Sequence, residues 1–252
     1  MQRSCSTIAN GDAMLWGMSN TASFNVAKVK KRSTELKAAD ALRDAIISGA
    51  IPLGARLTEI SLAEQLDVSR STIRTALHQL VQEGLVIQVP YTGWTVMTLS
   101  ATDAWELYTL RASLEALAAR LVAEKVQDKE LANRIHPVLS AAFERLMEAC
   151  KRGGKELIAL EDLNLHKAIV DLSEHVRLVD QYSRIQYQIQ LYIQSSDALI
   201  SDSKKIISQH KPIIESLLRG DVEAAVTAAI THNESEGALL VEHIRGKVFR
   251  EA

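Results

Sequence analysis

Residues 57–84 read LTEISLAEQLDVSRSTIRTALHQLVQEG, and this stretch holds two helices joined by a tight turn. Thr58 is placed to cap a short helix carrying Leu62, Ala63 and Leu66, and Asp67-Val68-Ser69 turns the chain. Ser69 caps the next helix, whose Ile73, Leu77 and Leu80 stand at i, i+4 and i+7 and so share one buried face, and Gly84 ends it. Upstream, Ala39, Leu42 and Ile46 repeat at helical spacing over 35–48, Gly49 supplies a stop, and Pro52 and Gly54 make a turn. Downstream, 85–88 and 94–98 alternate as short strands joined through Pro90-Tyr91-Thr92-Gly93, a β-hairpin. Three helices followed by a hairpin predict a winged helix-turn-helix over residues 34–99.

The residues off the apolar stripe of the third helix carry the chemistry. Arg70, Ser71, Arg74, Thr75 and His78 face outward, with both arginines in the first turns. The second helix of a helix-turn-helix sends those positions into the major groove, where arginine bonds bidentately to guanine. Solvated surface arginine is the plainer reading, and position favours double-stranded DNA. Gly93 in the wing serves turn geometry, close approach of backbone to phosphate, or both.

Composition sets the outer bounds. The chain has 252 residues, enough for two domains that each bury a core. Apolar residues make up 47% and charged residues 24%, which argues against disordered, collagen-like and membrane classes. Net charge is only -2, but residues 28–98 hold nine Lys/Arg against seven Asp/Glu while 99–252 hold 19 against 23, an asymmetry in the direction DNA binding needs. The two cysteines, Cys5 and Cys150, show no CxxC spacing, so a reducing cytoplasm is the expected location. No apolar run reaches the roughly 18 residues of a membrane span, so no membrane association is expected. Residues 1–33 lack any helical or strand period and end in Lys28, Lys30, Lys31 and Arg32, which reads as a disordered tail.

Beyond residue 100 only helical periods remain: about 103–124, 128–151, 155–172, 178–195, 202–218 and 221–245, predicting an all-α bundle of six helices over 100–252. The fold class is therefore mainly α. Most apolar positions, such as Leu107, Leu110, Leu114, Leu117 and Leu121, read as core. Asp162 and His166 stand at i, i+4 and point to one side of a helix, where they can share a metal ion. His210 and His232 fall on the last two helices, where an antiparallel bundle can bring them opposite that pair; surface or capping histidine is the alternative for each.

The first half resembles the DNA-binding domain of the GntR family of bacterial regulators. The resemblance rests on Gly49 and Gly54 in G-x-x-x-x-G, L-x-E-x-x-L-A-E-x-L over 57–66, V-S-R over 68–70 and R-x-A-L-x-x-L over 74–80. Thr72 and Thr75 depart from the proline and glutamate often found there. The second half resembles the all-helical effector domain of the FadR-type branch, often called FCD. It does so through LYTLRASLEALAARLVAE, the D-x-x-x-H of DLNLH, QHKPIIESLLRGDVEAA and the closing Thr231-His232.

This resemblance implies a homodimeric transcription regulator, a repressor released by ligand, rather than an enzyme. It implies that Asp162, His166, His210 and His232 hold a divalent ion, and three imidazoles with one carboxylate suit zinc or nickel. An octahedral ion keeps two positions for water or for a carboxylate or hydroxyl of a small effector. Arg111, in the R-x-x-L-E of that branch, is then expected to pair with the carboxylate of a small organic acid; the alternative is an i, i+4 pair with Glu115. Two other readings are a bundle that binds an acyl ligand without metal and, from another class, a metal-dependent hydrolase. Neither H-E-x-x-H nor G-x-S-x-G is present to support the hydrolase.

Overall fold

The computed structural model describes residues 33–90, 93–195 and 202–251, which belong to one compact unit spanning Ser33–Ala252. The expectation of a disordered tail over 1–33 lies, but for Ser33, outside the described residues, as do Tyr91 and Thr92 of the hairpin.

The first three helices are α1 (Thr34–Ile47), α2 (Glu59–Leu66) and α3 (Arg70–Gln82). Each opens on a side-chain cap: the hydroxyls of Ser33, Thr58 and Ser69 accept from the backbone N–H of Leu36, Ser61 and Thr72. Asp67, at φ 50°, takes the left-handed conformation that closes α2 and starts the turn. Ile73, Ala76, Leu77 and Leu80 of α3 are fully buried against Ala39, Leu42 and Ile46 of α1.

Strand β1 (Arg56–Leu57) precedes α2, and β2 (Val86–Val89) and β3 (Gly93–Val96) follow α3. All pairs are antiparallel in the order β1-β3-β2, with Val86 opposite Val96 and Leu57 opposite Trp94. Trp94 and Val96 turn inward, whereas Ile87 is 52% exposed. Strand β1 is too short to show an alternating pattern and was not expected; only its pairing with β3 defines it.

The remaining helices are α4 (Ala101–Val126), α5 (Lys129–Arg152), α6 (Lys155–Leu172), α7 (Val176–Ser195), α8 (Ser203–Arg219) and α9 (Val222–Glu251). All six expected helices are present. Helix α7 begins earlier than its apolar period because His175 Nδ1 accepts from Leu178 N–H at 3.1 Å and caps the first turn. Helix α4 lies along α9 and also touches α5, α6, α7 and α8, so it is the axis of the bundle.

Helix α7 also reaches the winged helix. The Arg43 guanidinium makes two 2.7 Å bonds to Glu83 and lies 4.6 Å above the Tyr187 ring. Gln188 Nε2 donates to the Glu83 carbonyl at 3.0 Å. This needs Gly84: its φ of +68° suits the close of α3, and a Cβ there would collide with the Gln188 amide. Tyr192 Oη bonds both the N–H and the carbonyl of Ser100, where the chain enters α4.

Candidate functional sites: an exposed helix face and a buried histidine centre

Arg70, Ser71, Arg74, Thr75 and His78 are all exposed on α3. They are not equally free. Arg74 is held by Glu59 of α2 through bonds of 2.8 and 2.7 Å, and Trp94 Nε1 donates to the same carboxylate at 3.4 Å. The Arg74 guanidinium holds the Glu59 carboxyl below its ordinary range. The ring of His78 meets Trp94 edge-on with centroids 4.8 Å apart. Arg70 and Ser71 occupy the first turn, where a recognition helix presents side chains to base edges. Gly93 opens β3 at φ +104°, a conformation a side chain would strain.

In the bundle, Asp162 and His166 of α6, His210 of α8 and His232 of α9 come together and are all buried. Ring centroids lie 5.1 Å apart for His166 and His210, 5.0 Å for His166 and His232, and 4.4 Å for His210 and His232. One ligand nitrogen from each imidazole falls within 4.8 Å of the others.

The surrounding hydrogen bonds decide which way two of these rings face. His166 Nδ1 lies 2.8 Å from Glu115 Oε2, and His210 Nδ1 lies 2.7 Å from the carbonyl of Ile206. Both partners only accept, so both Nδ1 atoms carry hydrogen, and in the neutral rings each Nε2 is a bare lone pair. Those two Nε2 atoms are 3.0 Å apart, and Asp162 Oδ1 is 3.0 Å from the one on His210. Converging lone pairs and a carboxylate repel unless a cation, proton or metal, lies among them. His232 adds a third imidazole whose two nitrogens have no hydrogen-bond partner, and Asp162 Oδ2 has none either. This donor set fits a divalent ion.

Titration follows the same geometry. Burial works against the imidazolium of His210, but the nearby Asp162 carboxylate outweighs it and raises its pKa. His232 is pushed well down, by burial first and then by the charges of His210 and His166. Burial also opposes ionisation of Asp162, yet His210, His166 and Arg111 hold its carboxyl well below the ordinary range.

Around the histidines lies a second layer. Arg111 of α4 is fully buried and donates through Nε to Glu115 at 2.8 Å, the i, i+4 pair weighed for it from sequence. Its Nη1 is 3.4 Å from Glu236 Oε2. Its Nη2 is 4.0 Å from Asp162 Oδ2, in ion-pair range but too far for a hydrogen bond, so both atoms stay unsatisfied. Glu115 also accepts from Tyr182 Oη at 2.8 Å and from Asn233 Nδ2 at 2.8 Å. Glu236 lies 3.5 Å from His232 Nε2, and its carboxyl is pushed up to about 7, by burial first and then by the Asp162 charge. Tyr182, Asn233 and Glu236 were not read from the sequence: no spacing motif joins them to Asp162, and only the helix rotations bring them in.

Two family matches cover most of the chain. Residues 34–96 match the bacterial regulatory proteins of the gntR family, and residues 106–235, half of the chain, match the FCD domain. The chain belongs to the GntR family, with an FCD domain behind its DNA-binding domain. Among curated relatives it is 28% identical over 224 residues to a probable D-xylose utilization operon transcriptional repressor of Paenarthrobacter nicotinovorans, covering 86% of this chain and 95% of that protein. It is also 28% identical to the HTH-type transcriptional regulator YdhC of Bacillus subtilis, covering 76% and 84%. A GntR transcriptional regulator from Rhodococcus sp. RHA1 shares the fold, with a TM-score of 0.69 at 24% identity, over 84% of this chain and 99% of that one. This regulator is therefore a DNA-binding transcription regulator and not an enzyme, which sets the hydrolase reading aside. Among the described residues no helix is long and apolar enough to cross a membrane.

Proposed function

We propose that this regulator is a cytoplasmic homodimeric repressor whose operator affinity is set by a small effector bound at a divalent ion in the FCD domain. Two observations support the ion: bare Nε2 lone pairs of His166 and His210 converge on Asp162, and the neighbouring His232 nitrogens have no hydrogen-bond partner. Asp162, His166, His210 and His232 would hold it. Zinc or nickel suits three imidazoles and one carboxylate, and the ion would supply a positive centre with positions open to a carboxylate or hydroxyl oxygen.

At the other end, Arg70, Ser71, Arg74 and Thr75 would enter the major groove of the operator and Gly93 would let the wing approach phosphate. A second copy would meet α4, where Leu110 is 47% exposed and Leu114 and Leu117 are only half-buried on the same face. Two-fold symmetry then matches a near-palindromic operator.

Elemental analysis of the chain purified without added metal or a metal-binding tag tests the ion. The expected result is about one divalent ion per chain, lost in His210→Ala. A wild-type chain that takes up no ion even after soaking with zinc or nickel would overturn this reading. A mobility shift that showed no preference for the chain's own upstream DNA over random DNA would overturn the operator reading.

A further inference from the structure

The ion-binding reading leaves one buried carboxylate without a role. Glu236 is 5% exposed on α9, one turn beyond His232, and points to the same side of that helix. Its Oε2 lies between His232 Nε2, at 3.5 Å, and Arg111 Nη1, at 3.4 Å. An effector carboxylate drawn by both the ion and Arg111 would need that same place.

The charges of the site agree. Asp162, Glu115 and Glu236 are three buried carboxylates facing one buried guanidinium, Arg111. With all three carboxylates ionised, their excess of two negative charges equals the charge of one divalent ion, and a centre loaded in that state is neutral before any ligand arrives. An incoming anion would be buried without a counter-charge, which is strongly disfavoured.

The approach to the site has the same character. A cavity of about 680 Å³ between α8 and α9 is bordered by His232 and lined by Thr227, Thr231, Ser235, Gln209, Asp221 and Glu223. Among the described residues, neither lysine nor arginine lines it. The partnerless buried atoms at the centre are both donors and acceptors: Arg111 Nη2 donates, Asp162 Oδ2 and Asn233 Oδ1 accept, and Tyr108 Oη does either. The Asn233 amide is oriented by two acceptors of its Nδ2, Glu115 and the Ala229 carbonyl, so its Oδ1 is a true acceptor. A hydroxyl both donates and accepts and suits such a mixture; a carboxylate only accepts.

We propose that Glu236 is the regulator's own anion for this centre, taking the place of an effector carboxylate, so that the effector is a neutral, hydroxyl-rich molecule. This rests on the ion-binding reading and replaces the small organic acid that the sequence led us to expect.

The test uses the full chain loaded with Co²⁺, whose visible absorption reports on the ligands around it, titrated with acetate as the carboxylate probe and D-sorbitol as the polyol probe. Wild type is expected to respond to D-sorbitol and to ignore acetate at the same concentrations. Glu236→Gln is expected to respond to acetate, with half-saturation at least tenfold below any wild-type response. A wild-type spectrum that acetate shifts as readily as D-sorbitol does would overturn the proposal, and this arm needs no variant to fold. Blindness to acetate in both wild type and a folded Glu236→Gln would overturn it as well. Failure of wild type to bind Co²⁺ at all would instead strike the ion-binding reading.

Discussion

Glu115 does more than any other residue to hold the histidine centre together, because its carboxylate joins Arg111, His166, Tyr182 and Asn233, which come from four helices. Burial opposes its charge, but Arg111 and His166 hold its carboxyl well below the unfolded value of 4.5. A depressed carboxylate contributes stability that is present above the unfolded pKa and is lost as pH falls through the folded one. Glu115→Gln is therefore expected to lower stability at neutral pH by about 3–5 kcal/mol, the usual cost of breaking a buried ion pair. It should also flatten the loss of stability below pH 4.5, and urea unfolding from pH 7 to pH 3 checks both. A cost under about 1 kcal/mol with an unchanged acid limb would contradict this account. On the DNA face, Arg70→Ala is expected to weaken operator binding by about 1–3 kcal/mol in a mobility shift, the usual worth of an arginine contact to a base. Glu59→Gln should change operator preference by freeing Arg74, which Glu59 now holds. At this scale the meeting of Asp162, His166, His210 and His232 was legible, two of them from an i, i+4 spacing and two through family resemblance. Glu236 and Asn233 were not, since their meaning depends on how far α9 is rotated about its axis.

Helix α7 is the element that physically joins the two ends of the regulator. Tyr182 bonds Glu115 beside the histidines, and Gln188, six residues on and so about 9 Å further along the axis, bonds the end of α3. A shift of α7 beside the histidine centre would therefore bear on the end of α3 through Gln188, and through Tyr187 by way of Arg43 and Glu83. The contact between Gln188 and Gly84 can be measured. Gly84→Ala places a Cβ against the Gln188 amide at a left-handed backbone position, while Gln188→Ala removes the amide it would strike. Denaturant unfolding of the two single variants and the double variant is expected to give a coupling of about 0.5–3 kcal/mol, with Gly84→Ala less costly when Gln188 is absent. Additive effects would mean that α7 does not bear on α3. The helices themselves were legible because long amphipathic periods and caps such as Asp128 and Asp202 mark them. Strand β1 and the contacts of α7 with the winged helix were not legible, because pairing partners distant in sequence create them.

At the scale of the whole regulator, the proposed coupling of DNA reading to ligand sensing calls for two copies acting together. A single recognition helix contacts one half-site, and half-sites one turn apart, about 34–36 Å, require a second helix held at that spacing. Joining two heads makes the second contact intramolecular, with a gain in affinity of about 10²–10⁴ that needs no new base contact. The exposed Leu110, with Leu114 and Leu117 following at i+4 and i+7 on α4, offers the apolar strip on which a second copy would pack. The same helix carries Arg111 and Glu115 on its buried side, so the proposed dimer contact and the histidine centre would share one rigid element. Leu110→Glu buries a charge in that contact but touches nothing in the histidine centre. Sedimentation is expected to show a monomer that still holds about one ion per chain, and its operator affinity should fall by at least a hundredfold toward the level for random DNA. A dimer that persists in this variant would place the contact on another face; a monomer that keeps full operator affinity would mean that one recognition helix suffices.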